Sequence, residues 1–364
     1  MSPSPLCRQA GQLAFLGFRG TTIPTELRSL AREFAIGGVV LFARNVEGPE
    51  QVAELSFDAR ELVAGPPRWV AVDQEGGRVA RMKRPFTEWP PMAAIGRADD
   101  AELAGRVGRA LARELRAVGV SFDFAPVVDV LTQSANPAIG DRAIASSADA
   151  VARLGAAIIT AIQGEGVAAC AKHFPGHGDT TVDSHVDLPL VAHAPDRLDA
   201  VEFVPFRAAI AARVAAVMVA HVFVPAFDEH VPASLSRRVV TGELRTRLAF
   251  NNLILTDDLS MKACSARFAL PEAVVRAVGA GHDGVLMCDP NPEQQAAALE
   301  ALVHAVEDGT IPSIQIEDSV ARHARLKALY MAAGDGARRP SAAWREVVGC
   351  EEHQRLAAEL RAFA

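Results

Sequence analysis

The sequence predicts a single (β/α)₈ barrel with extra helices at its C-terminal end. Three observations predict this fold: eight short apolar runs recur along the chain, segments with helical periodicity separate them, and a polar or charged residue follows most of the runs. The carboxyl ends of barrel strands meet at one face of the fold, where barrel proteins build their active sites. The third observation therefore predicts one polar, functional face.

The apolar runs have the length expected of buried strands. They are Leu13–Leu16, Gly38–Phe42, Trp69–Val72, Val120–Phe124, Val167–Ala171, Ala216–Val219, Leu253–Leu255 and Gly284–Met287. The polar residues that follow them are Arg19, Arg44, Asp73, Asp129, Lys172 with His173, His221, Asp257 and Asp289. Any single one, such as Arg44 or Asp289, could equally be an ordinary cap or ion pair, so they converge only if the barrel is right.

Segments between the runs show the apolar spacing of three and four residues that is typical of amphipathic helices. Ala101–Val118 is rich in Leu, Ala and Arg, and Ala148–Ile162 follows Ser147, which is an N-cap candidate. Asn291–Ala305 begins with its own N-cap candidate and has a proline in its first turn. The strands and helices therefore alternate, as the barrel requires.

Two further helical stretches, Ser319–Ala332 and Ala342–Phe363, follow the eighth run, and the polar linker Gly334–Pro340 separates them. The last helix is too short to form a domain by itself, so we expect it to pack on the barrel. The predicted organisation is a barrel over residues 1–333 and a linker with a C-terminal helix over residues 334–364. A doubly wound open sheet is the competing fold, but it needs a Gly-rich phosphate-binding turn after the first strand, and Gly17–Gly20 is not one.

Composition and charge narrow the class of protein. Half of the 364 residues are hydrophobic, which allows a large core, and the formal charge of −7 with scattered Lys and Arg argues against a nucleic-acid partner. No apolar run is long enough to span a bilayer, so we expect no membrane partner. The five cysteines are far apart and form no CxxC pair, which indicates free thiols and a reducing, cytoplasmic location. The sequence does not set the oligomeric state; a monomer is the expectation.

Two clusters carry the chemistry. The segment Ala171–His185 holds three His, two Asp and a Lys among Gly and Pro residues, directly after an apolar run, as active-site loops do. A polar surface loop that is merely rich in His is the alternative. In the second cluster, the run Leu253–Leu255 leads into the adjacent carboxylates Asp257 and Asp258. Such a pair is often only a helix N-cap, a role that Asp258 could fill.

The first cluster resembles a known family. The stretch from Lys172 to Thr180, followed by Asp183-Ser184-His185, resembles the signature of family 3 glycoside hydrolases, and most closely their β-N-acetylhexosaminidase (NagZ-type) branch. Further matching pieces are Asp73–Arg81, Ala125–Val130, Asn136–Arg142 and Thr256–Met261. The resemblance runs from about Leu13 to Asp289, which is the whole predicted barrel.

The resemblance implies a role for each matching residue. Asp257 corresponds to the catalytic nucleophile, His185 to an unusual general acid/base, and Asp183 to the partner that orients His185. A further group corresponds to positions that hold the hydroxyls of the terminal sugar or lie in its pocket. This group is Asp73, Arg81, Arg142, Lys172, His173 and, with the weakest correspondence, His221.

The implied activity is that of a retaining exo-β-N-acetylglucosaminidase without a metal ion or organic cofactor. Its carbohydrate partner would be a GlcNAc-terminated muropeptide or a short GlcNAc oligosaccharide, cleaved through a covalent glycosyl-Asp intermediate. Retaining hydrolysis needs a carboxylate nucleophile and a proton donor, and Asp183 two residues before His185 would make that imidazole more basic.

Four alternatives stay open: a β-glucosidase, a glycoside phosphorylase, a catalytically silent sugar-binding barrel, and a metal-dependent hydrolase. Phosphorolysis is open because a neutral or cationic His185, unlike a Glu, does not repel phosphate. The chain also departs from the family pattern: Asn251-Asn252 stands where the family usually has Asp-Gly. The second α/β domain of many family β-glucosidases is not recognisable, so we expect the barrel alone to form the site.

Overall fold

The computed structural model describes residues 4–184, 187–331 and 344–364. Eight parallel strands close into a barrel in which every strand pairs with its neighbours in the chain and the first pairs with the last. The fold class predicted from the sequence is therefore confirmed. The strands are β1 Ala14–Gly17, β2 Gly38–Leu41, β3 Trp69–Val72, β4 Phe122–Asp123, β5 Ala168–Phe174, β6 Ala216–Val219, β7 Leu253–Asp258 and β8 Gly284–Met287.

Each predicted run overlaps one barrel strand, and three strands extend beyond their apolar runs. Strand β1 ends one residue later than its run, at Gly17. Strand β5 continues to Phe174 and strand β7 to Asp258, because their last residues still pair with the neighbouring strands. Lys172, His173 and Asp257 therefore sit on strand backbone rather than on a loop after it. After β3, the short segments Gln74–Gly76 and Val79–Ala80 form an antiparallel hairpin at the barrel mouth.

Helices surround the barrel, and across the described residues none has both the length and the apolar character needed to cross a bilayer. The longer helices are Pro5–Gly11, Thr25–Phe34, Pro49–Arg60, Ala93–Ala98, Ala101–Ala117, Ala148–Gly164, Phe203–Ala211, Leu270–Ala280, Pro292–Glu307, Ser313–Tyr330 and Glu351–Arg361. Shorter or wider helical segments span Ala43–Asn45, Gly140–Arg142, Pro195–Arg197, Leu198–Glu202, Ala233–Leu235, Arg238–Arg247, Lys262–Ser265 and Trp344–Val347.

Both predicted N-cap residues stand at the first turn of their helices, but only one of them makes a capping hydrogen bond. The Asn291 side chain accepts a hydrogen bond from the Gln294 backbone N–H at 3.2 Å and so caps its helix as expected. Ser147 occupies the N-cap position of Ala148–Gly164, but its side chain makes no capping hydrogen bond. All five cysteines are free, and three of them are buried, as the absence of paired spacing predicted.

Aromatic side chains fill the lower part of the barrel interior. Phe15 packs edge-on against Phe122 and Phe124, with ring centroids 6.1 and 6.3 Å apart, and Trp69 lies 5.1 Å from Phe122. Gly38 makes room for this packing, because a Cβ atom there would come within 2.8 Å of the Phe15 ring. The filled interior leaves the C-terminal face of the strands as the place for a ligand.

The helix Ser313–Tyr330 closes the opposite, N-terminal end of the barrel. Its His323 accepts a hydrogen bond from the Trp69 indole N–H at 3.1 Å, and its Leu326 packs into the barrel interior. The helix begins at Ser313 rather than at the predicted Ser319, because an N-terminal turn precedes the periodic apolar stretch. The predicted end of this helix, Ala332, lies outside the described residues.

The predicted C-terminal helix Ala342–Phe363 is two helices, Trp344–Val347 and Glu351–Arg361, within the described part of the chain. The break falls at Gly349, which has φ +63° and lies so close to the Pro85 carbonyl that a Cβ would sit 2.1 Å from its oxygen. The Gly349 N–H instead donates to Glu114 Oε1 at 2.9 Å. This contact ends the first helix and ties the segment to the helix Ala101–Ala117.

Replacing Glu114 by Ala should destabilise the fold by about 3 kcal/mol. Glu114 is 3 % exposed, and besides Gly349 it accepts hydrogen bonds from the Thr87 backbone and hydroxyl and from His353 Nδ1. All of these donors lose their acceptor in the variant. Urea unfolding measures the loss, with the exposed Glu352→Ala as the matched control. A loss below about 1 kcal/mol, equal to the control, would contradict this reading.

Candidate active site

The barrel mouth holds an alternating cluster of buried and half-buried carboxylates and cations. Lys172, 2 % exposed, donates to Asp73 Oδ1 at 2.8 Å and contacts Glu75 Oε1 at 2.6 Å. Arg142 binds both Glu75 oxygens, through Nε and Nη2, at 2.8 Å each. Arg81 Nη2 lies 3.2 Å from the second oxygen of Asp73. Three cations are thereby fixed in place by two carboxylates.

The charges in this cluster stabilise one another. Burial alone would raise the pKa of Glu75, but Lys172 and Arg142 outweigh it and hold that pKa well below its usual range. Burial alone would lower the pKa of Lys172, but Asp73 and Glu75 raise it above its ordinary value. All of these groups are therefore ionised at neutral pH, and their remaining donors and acceptors are available to a polar ligand.

Glu75 is the residue that sequence reasoning missed. It lies in the Asp73–Arg81 motif, but nothing in that motif distinguishes it as the common partner of Lys172 and Arg142, which come from β5 and from the turn Gly140–Arg142. The available signal was its place two residues after Asp73, because an acid so close to a predicted site is a candidate partner for the site's cations.

A second buried pair joins His173 to Asp129. His173 Nδ1 lies 2.7 Å from Asp129 Oδ2, and the other oxygen of Asp129 accepts the backbone N–H of His177 at 2.7 Å. Arg142 Nη2 lies 3.3 Å from His173 Nε2. Arginine can only donate, so Nε2 accepts and Nδ1–H donates to Asp129, and these two contacts fix the orientation of the His173 ring.

The two adjacent carboxylates at the end of β7, Asp257 and Asp258, have different surroundings. Asp258 Oδ1 accepts the backbone N–H groups of Cys288 and Ser260, each at 3.0 Å, so Asp258 joins β7 to the end of β8. Burial raises the pKa of Asp258. Burial also acts to raise the pKa of Asp257, but the neighbouring His173 and His221 rings, the backbone N–H of Asp258 and the charge of Lys172 outweigh it and lower that pKa below its ordinary value. Asp257 is thus the ionised carboxylate at the mouth.

His221 is fully buried and makes two hydrogen bonds to protein groups. Its Nε2 lies 2.9 Å from the backbone oxygen of Asp258, and its Nδ1 lies 2.6 Å from the Ser234 hydroxyl. A carbonyl can only accept, so Nε2–H donates to it, while Nδ1 pairs with the Ser234 hydroxyl. His221 therefore holds the backbone that carries Asp257. Its predicted contact with the sugar would require these hydrogen bonds to change.

The loop after β5 approaches the residues that follow β7. The Ser184 carbonyl accepts the Ala263 N–H at 3.2 Å, and the Ser184 hydroxyl lies 3.3 Å from His177 Nε2. The backbone N–H of Asp187 donates to the Asp183 carbonyl at 3.1 Å. The predicted general acid/base, His185, lies outside the described residues, so its role stays a prediction.

Across the described ranges 4–184, 187–331 and 344–364, no three His, Cys, Asp or Glu side chains are placed so that they could hold a metal ion. The structure places the ionised carboxylate of Asp257 beside the hydrogen-bond donors and acceptors of the Lys172 cluster. Such a cluster can bind a polyhydroxyl ligand, and such a carboxylate can attack an electrophilic carbon.

Stability should fall in acid because four carboxylates at the barrel mouth have lowered pKa values: Asp73, Glu75, Asp129 and Asp257. Each contributes stability above the unfolded-state pKa of about 4 and loses it as the pH falls through the lower folded-state pKa. We expect the Tm to drop between about pH 4 and pH 2, and Glu75→Gln to show a shallower drop than the exposed control Glu33→Gln. Equal slopes for the two variants in thermal unfolding scans would contradict this assignment.

Comparison with known proteins defines the class and then the family. A β-hexosaminidase of Alkalilimnicola ehrlichii is 39 % identical over 293 residues, which cover 79 % of this chain and 83 % of the relative. A family 3 β-N-acetylglucosaminidase from Paenibacillus superposes with a TM-score of 0.91 at 39 % identity, over 99 % of this chain and 69 % of that one. The NagZ of Neisseria gonorrhoeae superposes with a TM-score of 0.78 at 32 % identity, over 97 % of each chain.

These relatives are glycoside hydrolases, and the present chain is one as well. The model of the glycosyl hydrolase family 3 N-terminal domain matches residues 6–326, so the chain belongs to glycoside hydrolase family 3. The family resemblance and the enzyme class predicted from the sequence are thereby confirmed.

Proposed function

We propose that this enzyme is a retaining exo-β-N-acetylglucosaminidase that releases terminal GlcNAc. The observation that carries the proposal is Asp257, a carboxylate kept ionised at the end of β7 by His173, His221 and Lys172. A retaining enzyme needs such a carboxylate below the anomeric carbon. The names of the similar proteins, β-hexosaminidase and β-N-acetylglucosaminidase, support GlcNAc as the sugar.

The glycone subsite is proposed to be the cluster around Lys172. With Asp257 included, three carboxylates alternate with three cations there, so the site has little net charge and suits an uncharged sugar. Lys172, Arg81 and Arg142 would donate to sugar hydroxyls, and Asp73 would accept from one. The buried ion pairs hold these groups in place before the sugar arrives, which reduces the cost of ordering them on binding.

In the proposed reaction, Asp257 attacks the anomeric carbon and forms a glycosyl ester while His185 protonates the departing oxygen. His185 then removes a proton from water, which displaces Asp257 and restores the carboxylate. Two inversions give net retention of configuration. Asp183 would orient His185 and stabilise its cationic form, as a carboxylate does beside a catalytic imidazole.

Muropeptides or short GlcNAc oligosaccharides are the proposed natural substrates. The proposal rests on the similarity to a NagZ and to a β-N-acetylglucosaminidase. Hydrolysis of p-nitrophenyl β-GlcNAc should exceed that of p-nitrophenyl β-glucoside by at least about 100-fold, because the site would lose its contacts to the acetamido group. Equal rates would point to a β-glucosidase, and no hydrolysis of either to a silent sugar-binding barrel.

Phosphorolysis is the second candidate, because an imidazole acid/base does not repel phosphate as a carboxylate would. The same assay with and without inorganic phosphate separates the two reactions. We expect an unchanged rate and free GlcNAc as the product. A rate that rises with phosphate, with GlcNAc 1-phosphate as the product, would show phosphorolysis instead, in which phosphate rather than water attacks the anomeric carbon and displaces Asp257.

The variant His185→Ala should be most impaired on substrates with poor leaving groups. An activated dinitrophenol departs with little protonation, so glycosylation should survive on the dinitrophenyl glycoside, while a natural disaccharide should lose about 10³-fold in kcat/KM. Asp183→Ala should show the same pattern, and the double variant should cost much less than the sum of the two single losses.

Azide provides the control for this proton-transfer role. A small anionic nucleophile needs no general base, so azide should restore turnover of the dinitrophenyl glycoside by His185→Ala and give the β-glycosyl azide. The surface variant His230→Ala is the matched control. Its rates on both substrates, with and without azide, should equal those of the wild type. If His185→Ala cleaves both substrates at wild-type rates, or yields the α-azide, the assigned mechanism is wrong.

A further inference from the structure

We infer that Arg68 and Lys327 form a binding site for a small anion at the N-terminal end of the barrel, opposite the catalytic face. Arg68 directly precedes β3, and Lys327 lies on the helix Ser313–Tyr330 that closes this end. Neither residue takes part in the proposed reaction. The inference rests on the hydrogen bonds that each cation makes and on the contact between β3 and the helix that places them near each other.

Arg68 is 1 % exposed and uses only part of its guanidinium. Its Nη1 donates to the Val63 carbonyl at 2.6 Å, whereas Nε and Nη2 have no hydrogen-bond partner among the described residues. Nε and Nη2 lie on one edge of the planar group, and that edge is the one that binds anions with two parallel N–H groups. Arg68 therefore presents a complete anion-binding edge inside the protein.

Lys327 is 4 % exposed, and its Nζ donates to Gln12 Oε1 at 3.1 Å, which is a neutral acceptor. The Gln12 amide is fixed by its other end, because Nε2 donates to the Ala35 carbonyl. No carboxylate of the described residues lies within ion-pair distance of Lys327 or Arg68. A buried cation without a counter-charge is costly, and two of them repel each other.

A hydrogen bond between their neighbours places the two cations near each other at this end of the barrel. Trp69 follows Arg68, and its indole N–H donates to His323 at 3.1 Å. His323 precedes Lys327 by one helical turn, so both side chains lie on the face of the helix that covers the barrel. Burial and the charge of Arg68 together lower the pKa of Lys327 to about 7, which reflects the same uncompensated charge.

The ligand chemistry is that of a small inorganic anion, either a halide such as chloride or an oxyanion such as phosphate. An anion that binds only the folded state raises the Tm in a saturable way. We expect the Tm of the wild-type protein to rise by about 3 to 5 °C when sodium gluconate is replaced by sodium chloride or by sodium phosphate at constant ionic strength. Thermal unfolding at about pH 6, where Lys327 is charged, measures it.

Variants separate a site from a general salt effect. Lys327→Met keeps the length of the side chain and removes its charge, so it should lose the anion response and gain Tm in gluconate. Lys83→Met makes the same change at an exposed lysine and should respond as the wild type does. A chloride response assigns a halide site, and a response to phosphate alone assigns an oxyanion site. Equal responses in wild type and Lys327→Met, or none in wild type, would overturn the inference.

Diffraction provides a second test that does not depend on a variant that folds. Wild-type crystals soaked in bromide should show an anomalous peak within about 3.5 Å of both Arg68 Nη2 and Lys327 Nζ. Bromide peaks at surface positions only, in a protein whose Tm does not respond to chloride or phosphate, would overturn the site. Neither outcome bears on the proposed function, because Arg68 and Lys327 take no part in the proposed reaction.

Discussion

Asp257→Asn should reduce kcat by about 10⁵-fold while leaving the far-UV circular dichroism unchanged and lowering the Tm by only a few degrees, since the variant loses only the stability that the ionised carboxylate contributes. The amide has nearly the same volume as the carboxylate but cannot form the glycosyl ester. Asp257 Oδ1 accepts only the adjacent Asp258 N–H among the hydrogen bonds of the described residues, so the amide oxygen can keep that contact. Steady-state kinetics with p-nitrophenyl β-GlcNAc measures the loss.

Asp258→Asn is the matched control at the next position. Its carboxylate binds the backbone of Cys288 and Ser260 rather than facing the sugar, so we expect a smaller loss of about 10- to 100-fold and a lowered Tm. A larger loss of kcat at Asp258 than at Asp257, with both variants folded, would transfer the nucleophile role to Asp258.

Lys172→Met should lower kcat/KM by about 10³-fold and the free energy of unfolding by about 3 kcal/mol. The ammonium lies between Asp73 and Glu75, so its loss leaves two buried carboxylates facing each other and removes a donor to the sugar. The pKa of Glu75 should rise in the variant, because the charge of Lys172 is the main effect that lowers it against burial.

The exposed Lys83→Met controls for the chemistry of this substitution and should be neutral in both assays. Activity at several pH values distinguishes a direct role from simple destabilisation: in Lys172→Met the acid limb of the kcat/KM profile should move to higher pH. A folded Lys172→Met enzyme with wild-type kcat/KM would show that the cluster does not bind the sugar.

The sequence predicted the barrel well because buried parallel strands leave a strong pattern of apolar runs. It could not predict where β5 and β7 end, because Lys172 and Asp257 are polar residues on strand backbone, and their pairing depends on neighbours elsewhere in the chain. The break at Gly349 was missed for a related reason. Its cause is a close approach to Pro85 and a hydrogen bond to Glu114, both of which are distant in sequence.

The sequence predicted which residues meet at the barrel mouth better than it predicted the contacts that they make there. Lys172, Arg142, Asp73 and Arg81 lie together at the barrel mouth, as the predicted barrel requires, while their contacts with a sugar stay a prediction. Glu75 was missed, since a buried acid between two cations looks in sequence like any other Glu. No pattern could reveal that His221 holds the backbone of Asp258, because both of its contacts depend on tertiary structure.

The covalent intermediate on Asp257 is the central claim, and one measurement tests it most directly. The enzyme is incubated with a fluorinated, slowly hydrolysed GlcNAc glycoside that carries a good leaving group, then digested and analysed by mass spectrometry. We predict a single glycosyl adduct on the peptide containing Thr256-Asp257-Asp258, with fragment ions that place it on Asp257. An adduct on Asp258, Asp73 or another residue, or turnover that releases the α-anomer without any adduct, would contradict it.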